Sequence, residues 1–215
     1  MIWKWVSWGL VFSFCACAHP SPFFERTWTK NPAVVLVGSE QDPRLRAGSE
    51  AVKFWNRTFA EVGTPFRLGP VTHTTQEISA GYLQRLSAHV LKGYAKPEMP
   101  KSLSTMPGDI IIAFSDADLV SFCARYPSEG KVIIGIRSHR LPPLTFPNVT
   151  PNLIAHELGH AIGLGHNADP TKLMCGRPAP CRPGDFRSSE KRFFPLTDEE
   201  KAELLRMYPK NWKSR

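Results

Sequence analysis

Three histidines recur at fixed spacing in the segment His-Glu-Leu-Gly-His-Ala-Ile-Gly-Leu-Gly-His, which runs from His156 to His166. His156 and His160 are four residues apart, so on a helix they lie on one face, about one turn apart. Two imidazoles placed in this way can occupy two corners of a tetrahedral zinc site. Glu157 then lies beside the metal, where its carboxylate can accept a proton from zinc-bound water. The segment therefore predicts a zinc centre with a base next to it.

Gly163 separates the first two histidines from the third. Because glycine has no Cβ, it takes positive φ at little cost, so the helix can stop here and the chain can turn sharply. This turn is expected to bring His166 back as a third nitrogen ligand and to leave the fourth position open. An open position distinguishes a catalytic zinc site from a closed structural one.

The complete pattern resembles the extended zinc signature of the metzincin metallopeptidases, because Gly163 and His166 follow the first two histidines at that family's spacing. Leu173-Met174-Cys175 resembles the tight turn that places a methionine beneath the zinc ligands in this family, and residues 167–171 resemble matrixin sequences. Asn167 departs from the pattern, because matrixins commonly have a serine at that place. The resemblance covers roughly residues 33–209.

The resemblance implies a fold class, α/β (α+β), with a metzincin-like catalytic domain. Its expected parts are a twisted, mostly parallel sheet, an antiparallel edge strand over the cleft, an active-site helix and a small C-terminal subdomain. It also implies one catalytic Zn²⁺ bound by His156, His160 and His166, with Glu157 as the catalytic residue. Calcium for structure is left open, since no residue pattern supports it.

Length and composition fit one domain with its own core. The chain has 215 residues, 42% of them hydrophobic, and 20 prolines that predict many irregular connections. The net charge of +8 could favour anionic partners. The lysines and arginines are scattered, however, so we interpret them as a solvated basic surface and expect no nucleic-acid partner. We expect a monomer that acts on a protein or peptide substrate.

The first eighteen residues have the pattern of a signal peptide. Lys4 precedes a short apolar run from Trp5 to Phe14, and Ala16-Cys17-Ala18 matches a signal-peptidase site, so cleavage is expected before His19. The apolar run is too short for a membrane span. A lipid anchor at Cys17 is the alternative. Either route predicts a secreted or extracytoplasmic protein, in the periplasm, at the cell surface or outside the cell.

Three cysteines remain after the leader, at positions 123, 175 and 181. Cys175 and Cys181 flank a loop rich in proline and glycine, so a small disulfide loop is plausible in an oxidising compartment. Cys123 would be left over. Three free thiols are the alternative, because sequence alone cannot fix connectivity.

Hydrophobic periodicity and turn residues predict the order strand, helix, strands, zinc helix. Thr150 and Pro151 are a good N-cap and first residue for the zinc helix, and Thr197 with Glu200 fits a capping box for the last helix. Residues 19–215 are expected to form a single domain, with subdomains at about 33–165 and 166–215. The predicted strands are residues 33–38, 66–74, 109–114, 119–126 and 131–136, and residues 119–124 are the expected edge strand of the sheet. The predicted helices are residues 46–62, 76–94, from 151 onward, and 197–208. Residues 94–107 are expected to form a loop.

The function predicted from these residues is secreted, zinc-dependent endopeptidase activity through metal-activated water and the Glu157 base. Two alternatives stay open. One is a secreted binding or adhesion module that keeps zinc and has little turnover, against which the presence of Glu157 argues. The other is a zinc hydrolase of a non-peptide amide, which would use the same residues.

Overall fold

The computed structural model describes residues 27–176, 179–182, 184 and 187–215. The predicted leader with Cys17 lies outside the described residues, as does part of the loop that follows residue 176. In the described part, five strands form one sheet in the order β2-β1-β3-β5-β4. The strands are β1 Val34–Val37, β2 Val71–Thr74, β3 Ile110–Phe114, β4 Phe122–Tyr126 and β5 Lys131–Ile136.

The sheet is parallel except at one edge. Strand β1 pairs in parallel with β2 and β3, and β3 pairs in parallel with β5. Strand β4 lies at the edge and runs antiparallel to β5, with Cys123 opposite Ile134. The predicted α/β fold class is confirmed. The edge strand begins three residues later than the predicted Leu119, because the backbone carbonyl of Val120 accepts a hydrogen bond from Ser87 at 2.7 Å instead of extending the strand.

Helices cover both faces of the sheet, so most side chains of the three central strands β1, β3 and β5 are buried, while those of the edge strand β2 are mostly exposed. Along β1, Val34 and Leu36 pack on one face while Val35 and Val37 pack on the other, as the two-residue period of a strand requires. The first face is covered by α1, α4 and α5, and the second by α2 and α3. The helices are α1 Arg44–Val62, α2 Ala80–Lys92, α3 Lys101–Ser104, α4 Val149–Ala161 and α5 Asp198–Met207.

Helix α1 supports the helix that carries the first two histidines. Trp55 of α1 is completely buried, and its Nε1 donates to the backbone carbonyl of Ala155 on α4 at 2.9 Å. Phe59, one turn further along α1, is also completely buried. The aromatic stripe of α1 is therefore part of the core, as predicted, and Trp55 connects α1 to α4.

The second predicted strand is mostly wrong. Only its last four residues form a strand, β2, although the Gly69 amide also donates to Pro32 O at 2.9 Å. Leu68 is instead held by Asn56 of α1, which donates to the Leu68 carbonyl at 2.9 Å and accepts from its amide at 2.8 Å. Since the side-chain amide satisfies both backbone groups, this buried segment needs no strand partner. The helix predicted at 76–94 is shorter at both ends, and the predicted loop at 94–107 contains the short helix α3.

Helix α4 begins before its predicted N-cap. Its first residue is Val149, and Thr150 lies in its first turn, with a hydroxyl that donates to Leu144 O at 3.2 Å. Thr150 is therefore not the cap. The helix starts earlier because a turn leads directly into it, closed by the amide of Val149 donating to Phe146 O at 3.1 Å.

Two buried asparagines at the start of α4 hold the segment that crosses it. Asn148 donates to Glu190 O at 2.6 Å and accepts from the Arg192 amide at 3.2 Å. Asn152 donates to Arg192 O at 2.8 Å and accepts from the Phe194 amide at 2.8 Å. These side chains replace the backbone partners that a neighbouring strand would supply.

The last helix matches its prediction. The hydroxyl of Thr197 accepts from the Glu200 amide at 3.1 Å, and the Glu200 carboxylate accepts from the Thr197 amide at 2.8 Å, so the predicted capping box is confirmed. Among the described residues, every helix is too short or too polar to span a lipid bilayer.

A buried ion pair fastens the start of α1 to the sheet. The side chains of Arg44 and Asp42 are 3% and 7% exposed and approach to 2.6 Å. Arg44 Nη1 also donates to the carbonyls of Ser115, at 2.9 Å, and Arg137, at 3.0 Å, just beyond β3 and β5. Burial alone would raise the pKa of Asp42, but hydrogen bonds and attraction from Arg44 outweigh it and lower the pKa.

Replacing Arg44 with methionine should lower the free energy of unfolding by about 3–5 kcal/mol, because Asp42 would be left buried without its partner. Urea denaturation at pH 7 measures this loss. The matched control is Arg46→Met, which breaks an exposed pair with Glu50 and should cost less than about 1 kcal/mol. Because the pKa of Asp42 is lowered on folding, the pair's contribution should be present above about pH 4 and lost as the pH falls further. Equal losses in the two variants would contradict the assignment.

Candidate metal centre

The three predicted histidines converge on one point. Their Nε2 atoms are 3.1 Å apart for His156 and His160, 3.0 Å for His160 and His166, and 3.2 Å for His156 and His166. Three nitrogens bound to one tetrahedral zinc at the usual bond lengths would be about 3.3 Å apart. The donor set and its spacing therefore fit a single zinc ion.

Backbone carbonyls fix the orientation of two of these rings. Nδ1 of His156 is 2.8 Å from Leu173 O, and Nδ1 of His160 is 2.9 Å from Leu164 O. A carbonyl can only accept, so each Nδ1 carries the proton and each Nε2 keeps its lone pair for a metal. The turns that hold Leu164 and Leu173 therefore select the tautomer that can bind the metal.

The turn after α4 has the geometry of a Schellman motif. Gly163 has a φ of +114°. Its amide donates to His160 O at 3.1 Å, and the Leu164 amide donates to Gly159 O at 2.9 Å. This places the Leu164 carbonyl against the ring of His160 and sends the chain towards His166. The prediction that Gly163 takes a positive φ and ends the helix is confirmed.

Side chains from three distant segments cover the last carbonyls of α4. Trp28 Nε1 donates to Ala161 O at 2.8 Å, and the Arg125 guanidinium donates to the same atom. The Tyr208 hydroxyl donates to Ile162 O at 2.8 Å. Carbonyls at a helix end lack partners within the helix and carry partial negative charge, so these donors, one of them cationic, stabilise the end of α4.

The segment after His166 pairs with the turn that contains Met174. The Asn167 amide donates to Met174 O at 2.9 Å, and the Gly176 amide donates to Asn167 O at 3.1 Å. Cys175 forms a disulfide with Cys181, so the predicted bridge is confirmed. His166 packs so closely on Gly176 that a Cβ there would lie 2.1 Å from the ring. The segment that follows Met174 therefore packs against the ring of His166 at Gly176 and restricts its position.

Asn167, where the sequence departs from matrixins, has a structural partner. Its Nδ2 donates to Glu200 Oε1 at 2.6 Å, and its Oδ1 accepts from the Asp169 amide at 2.8 Å. The same Glu200 closes the capping box of α5. An amide can donate and accept at once across this span, so Asn167 connects the chain after the third histidine to the final helix.

Burial sets the charge state of the site. Desolvation, followed by repulsion from His160, lowers the pKa of His156 to about 3, and desolvation also lowers the pKa of His166. These rings are therefore neutral near pH 7, the form that binds metal. Desolvation raises the pKa of Glu157 to about 8. Glu157 is 6% exposed and lies at the wall of the same cleft as the histidines.

The histidines lie in a cleft of about 1820 Å³ that extends along the edge strand β4. Arg182 is a lining residue that the sequence did not predict. It has a φ of +49°, and its Nη2 donates at 3.1 Å to Leu173 O, the carbonyl that also orients His156. Its position depends on the disulfide loop and on its place over the ring of Phe194, and no motif in the sequence signals either contact.

No family model and no curated protein matches the chain. One similar solved structure is an archaemetzincin from Methanopyrus kandleri, with 14% identity and a TM-score of 0.42 over 83% of this chain and 96% of that one. At this level of similarity, the description of the site rests on the chain's own residues.

Replacing Gly163 with alanine should weaken zinc binding by about 10–100-fold, because strain at its positive φ would move the Leu164 carbonyl away from His160. A competition titration with a chromophoric chelator measures the affinity. The control is Gly93→Ala, at the equivalent position after α2, where φ is +67° and a Cβ meets no atom within 4 Å. That variant should lose some stability but no zinc affinity. Unchanged affinity in Gly163→Ala would rule out this role for the turn.

Replacing Gly176 with alanine should displace the ring of His166, since the new Cβ would overlap it. We expect a loss of zinc affinity of about tenfold or more, measured by the same titration. Gly184→Ala, in the same loop but with no atom within 4 Å of its Cβ position, is the control and should bind zinc normally. If both variants bind zinc equally well, Gly176 does not support His166.

Proposed function

We propose that this protein is a secreted, zinc-dependent endopeptidase. The observation that carries the proposal is the convergence of three histidine Nε2 atoms within 3.2 Å of one another, with the carboxyl residue Glu157 buried in the same cleft. Three neutral protein ligands leave one position of a tetrahedral ion open for water or substrate, as in catalytic zinc sites. A site that served structure alone would have no use for a base at this place.

The residues divide the work of hydrolysis between binding and proton transfer. A zinc ion bound to the histidines would supply Lewis acidity and lower the pKa of a bound water. Glu157 accepts the proton of the attacking water at its carboxylate and returns it to the leaving amine. Burial raises the pKa of Glu157, whereas the positive charge of a bound zinc ion would lower it and favour the carboxylate that accepts the proton.

Strand β4 is the proposed site for the substrate backbone. It lies at the edge of the sheet, pairs with β5 on one side, and lines the cleft with the histidines. An extended peptide can add to such an edge through main-chain hydrogen bonds, which give affinity without strong demands on sequence. This arrangement supports a protein or peptide substrate.

We also propose that the chain is matrixin-like and that residues 173–175 form its Met-turn. Met174 is completely buried, and its Sδ lies 2.3 Å from where a Cβ of Gly159 would be, between the two histidines of α4. A thioether in this place supports the histidines by packing. Division into subdomains at about residue 165 belongs to the same proposal, as does a monomeric state.

Export from the cytoplasm is supported by two observations. The leader pattern of residues 1–18 and the disulfide between Cys175 and Cys181 both fit an oxidising compartment. A soluble product and a lipid anchor at Cys17 are separated by the intact mass of the mature N-terminus.

Two other functions use the same residues. A zinc-containing binding module would bind the metal and turn over little substrate, and a hydrolase of a non-peptide amide would cleave a different linkage. The edge strand favours peptides over such an amide, and Glu157 favours turnover over binding alone.

Replacing Glu157 with glutamine should keep zinc bound and lower turnover by at least about 10²–10⁴-fold, because the amide cannot accept the proton. His160→Ala should lose both zinc and activity. A peptide-library digest read by mass spectrometry, with and without a chelator, measures activity, and metal analysis measures zinc. Wild-type activity in a Glu157→Gln protein of verified mass would exclude the mechanism. A zinc-loaded wild-type protein that cleaves no peptide would favour the binding module.

A further inference from the structure

A second groove adjoins the cleft and is rimmed by positive charge. It has a volume of about 560 Å³ and lies between α1 and the start of α4. Leu144 lines both this groove and the zinc cleft, so one residue forms part of the wall between them. We call it the basic groove. Its exposed cationic side chains are Arg46, Lys53, Arg57, Lys191 and Arg192. Its lining also includes the buried Arg44, which is paired with Asp42.

The two walls of the basic groove hold their cations in different ways. Lys53 and Arg57 are exposed and lie one turn apart on α1, where neighbouring like charges destabilise a helix. Opposite them, Lys191 and Arg192 belong to the segment that Asn148 holds at Glu190 O and at the Arg192 amide. Both walls are therefore anchored, one in a long helix and the other by a buried asparagine.

Part of the positive charge of the basic groove has no acidic partner among the described residues. Glu50 is the one acidic residue among its described lining residues, and its carboxylate is taken by Arg46 at 2.8 Å. In the described part of the chain, Lys53, Arg57 and Lys191 form no ion pair. Several like charges around one depression create a field that attracts a negatively charged ligand.

The base of the basic groove is apolar. Leu144 is buried, and Phe146 and Phe193 are half-buried, with Phe193 stacked on Phe54 at 4.6 Å. An apolar base with a charged rim fits a ligand that combines apolar side chains with carboxylates. The volume accommodates a few residues of polypeptide, whereas a folded partner would need a larger surface.

The position of the basic groove relates it to the zinc site. Pro151 of α4 lines the groove, and His156 follows five residues later on the same helix, which corresponds to about 8 Å along the helix axis. An extended chain covers that distance in about three residues. Five residues rotate a helix by about 140°, so Pro151 and His156 lie on different sides of α4. A peptide bound in the cleft would therefore reach the groove by turning around the start of α4 at Leu144, which lines both.

We infer that the basic groove binds an acidic, partly apolar segment of the substrate, a few residues away from the bond that is cleaved. This inference rests on the proposed peptidase function and adds a substrate class to it. The class is polypeptides that carry glutamate or aspartate together with large apolar residues a few positions from the cleaved bond. The groove would act through charge and apolar contact, so it selects composition and not one particular sequence.

The test compares one cleavable peptide carrying different six-residue tails. One tail alternates glutamate with phenylalanine, and the other alternates serine with phenylalanine; each is placed in turn at either end of the peptide. For one of the two ends, kcat/KM should be about tenfold higher with the acidic tail than with the neutral tail. This ratio should fall as salt is raised, because salt screens exposed charges.

Charge reversal then locates the effect. In Lys53→Glu/Arg57→Glu the ratio of the two kcat/KM values should fall about tenfold, through KM. The matched control is Arg85→Glu/Lys101→Glu, which changes the net charge equally at exposed positions that line neither cavity; its ratio should stay as in the wild type. A ratio near one in the wild type, or equal falls in both double variants, overturns the inference.

A binding measurement separates failure of this inference from failure of the proposed function. The fluorescein-labelled acidic tail alone is titrated with Glu157→Gln protein and followed by anisotropy. Binding that is lost in Glu157→Gln/Lys53→Glu/Arg57→Glu supports the groove as an acidic polypeptide site, even if the wild type cleaves no peptide and the peptidase proposal fails. Absence of tail binding, or binding that persists in this variant, overturns it.

Discussion

The structure depends most on how helix α4 ends. A helix leaves its last carbonyls without partners, and here they point into the interior, where lost hydrogen bonds are costly. Gly163 turns the chain at positive φ, which ends the helix. The carbonyls of residues 161 and 162 then accept hydrogen bonds from the side chains of Trp28, Arg125 and Tyr208. These donors come from the first described residues, the edge strand and the end of α5. The positions of His160 and His166, on either side of this helix end, therefore depend on contacts with distant parts of the chain.

Neutral carbonyls orient two of the three histidines of the candidate metal centre. Many zinc-binding histidines donate to a carboxylate, which makes the ring more basic and adds negative charge near the metal. His156 and His160 donate instead to Leu173 O and Leu164 O. With no added negative charge at these two rings, more of the ion's charge would stay available to a substrate carbonyl.

Local patterns predicted the parts of the site that depend on a few neighbouring residues. The spacing of the histidines, the turn at Gly163 and the capping box at Thr197 each follow from chain geometry over one or two helical turns, and the structure contains all three arrangements. The sequence also predicted the buried strands, because a short run of β-branched residues between turn residues favours a strand over a helix or a loop.

The sequence failed where polar side chains replace backbone partners over long distances. Asn56 satisfies Leu68, and Asn152 satisfies the backbone on both sides of Phe193. Such contacts have no period and no fixed spacing, so a single sequence cannot reveal them. The same reason explains why residues 66–68 were wrongly predicted as strand: Phe66 and Leu68 are buried, as in a strand, while the backbone groups of Leu68 bond to Asn56.

The positive charge of the chain also has a different meaning in the folded protein. Arg44 and Arg182 are 3% and 7% exposed, and Arg125 is half-buried; each donates to a backbone carbonyl near α1, α4 or the turn at Leu173. Guanidinium groups can do this because they offer several donors in a planar fork and stay charged when buried. Part of the net charge of +8 is therefore used inside the molecule to satisfy carbonyls. The interpretation of the basic residues as a solvated surface is therefore incomplete, since Arg44 and Arg182 are buried and donate to backbone carbonyls, while five of the exposed cations line the basic groove.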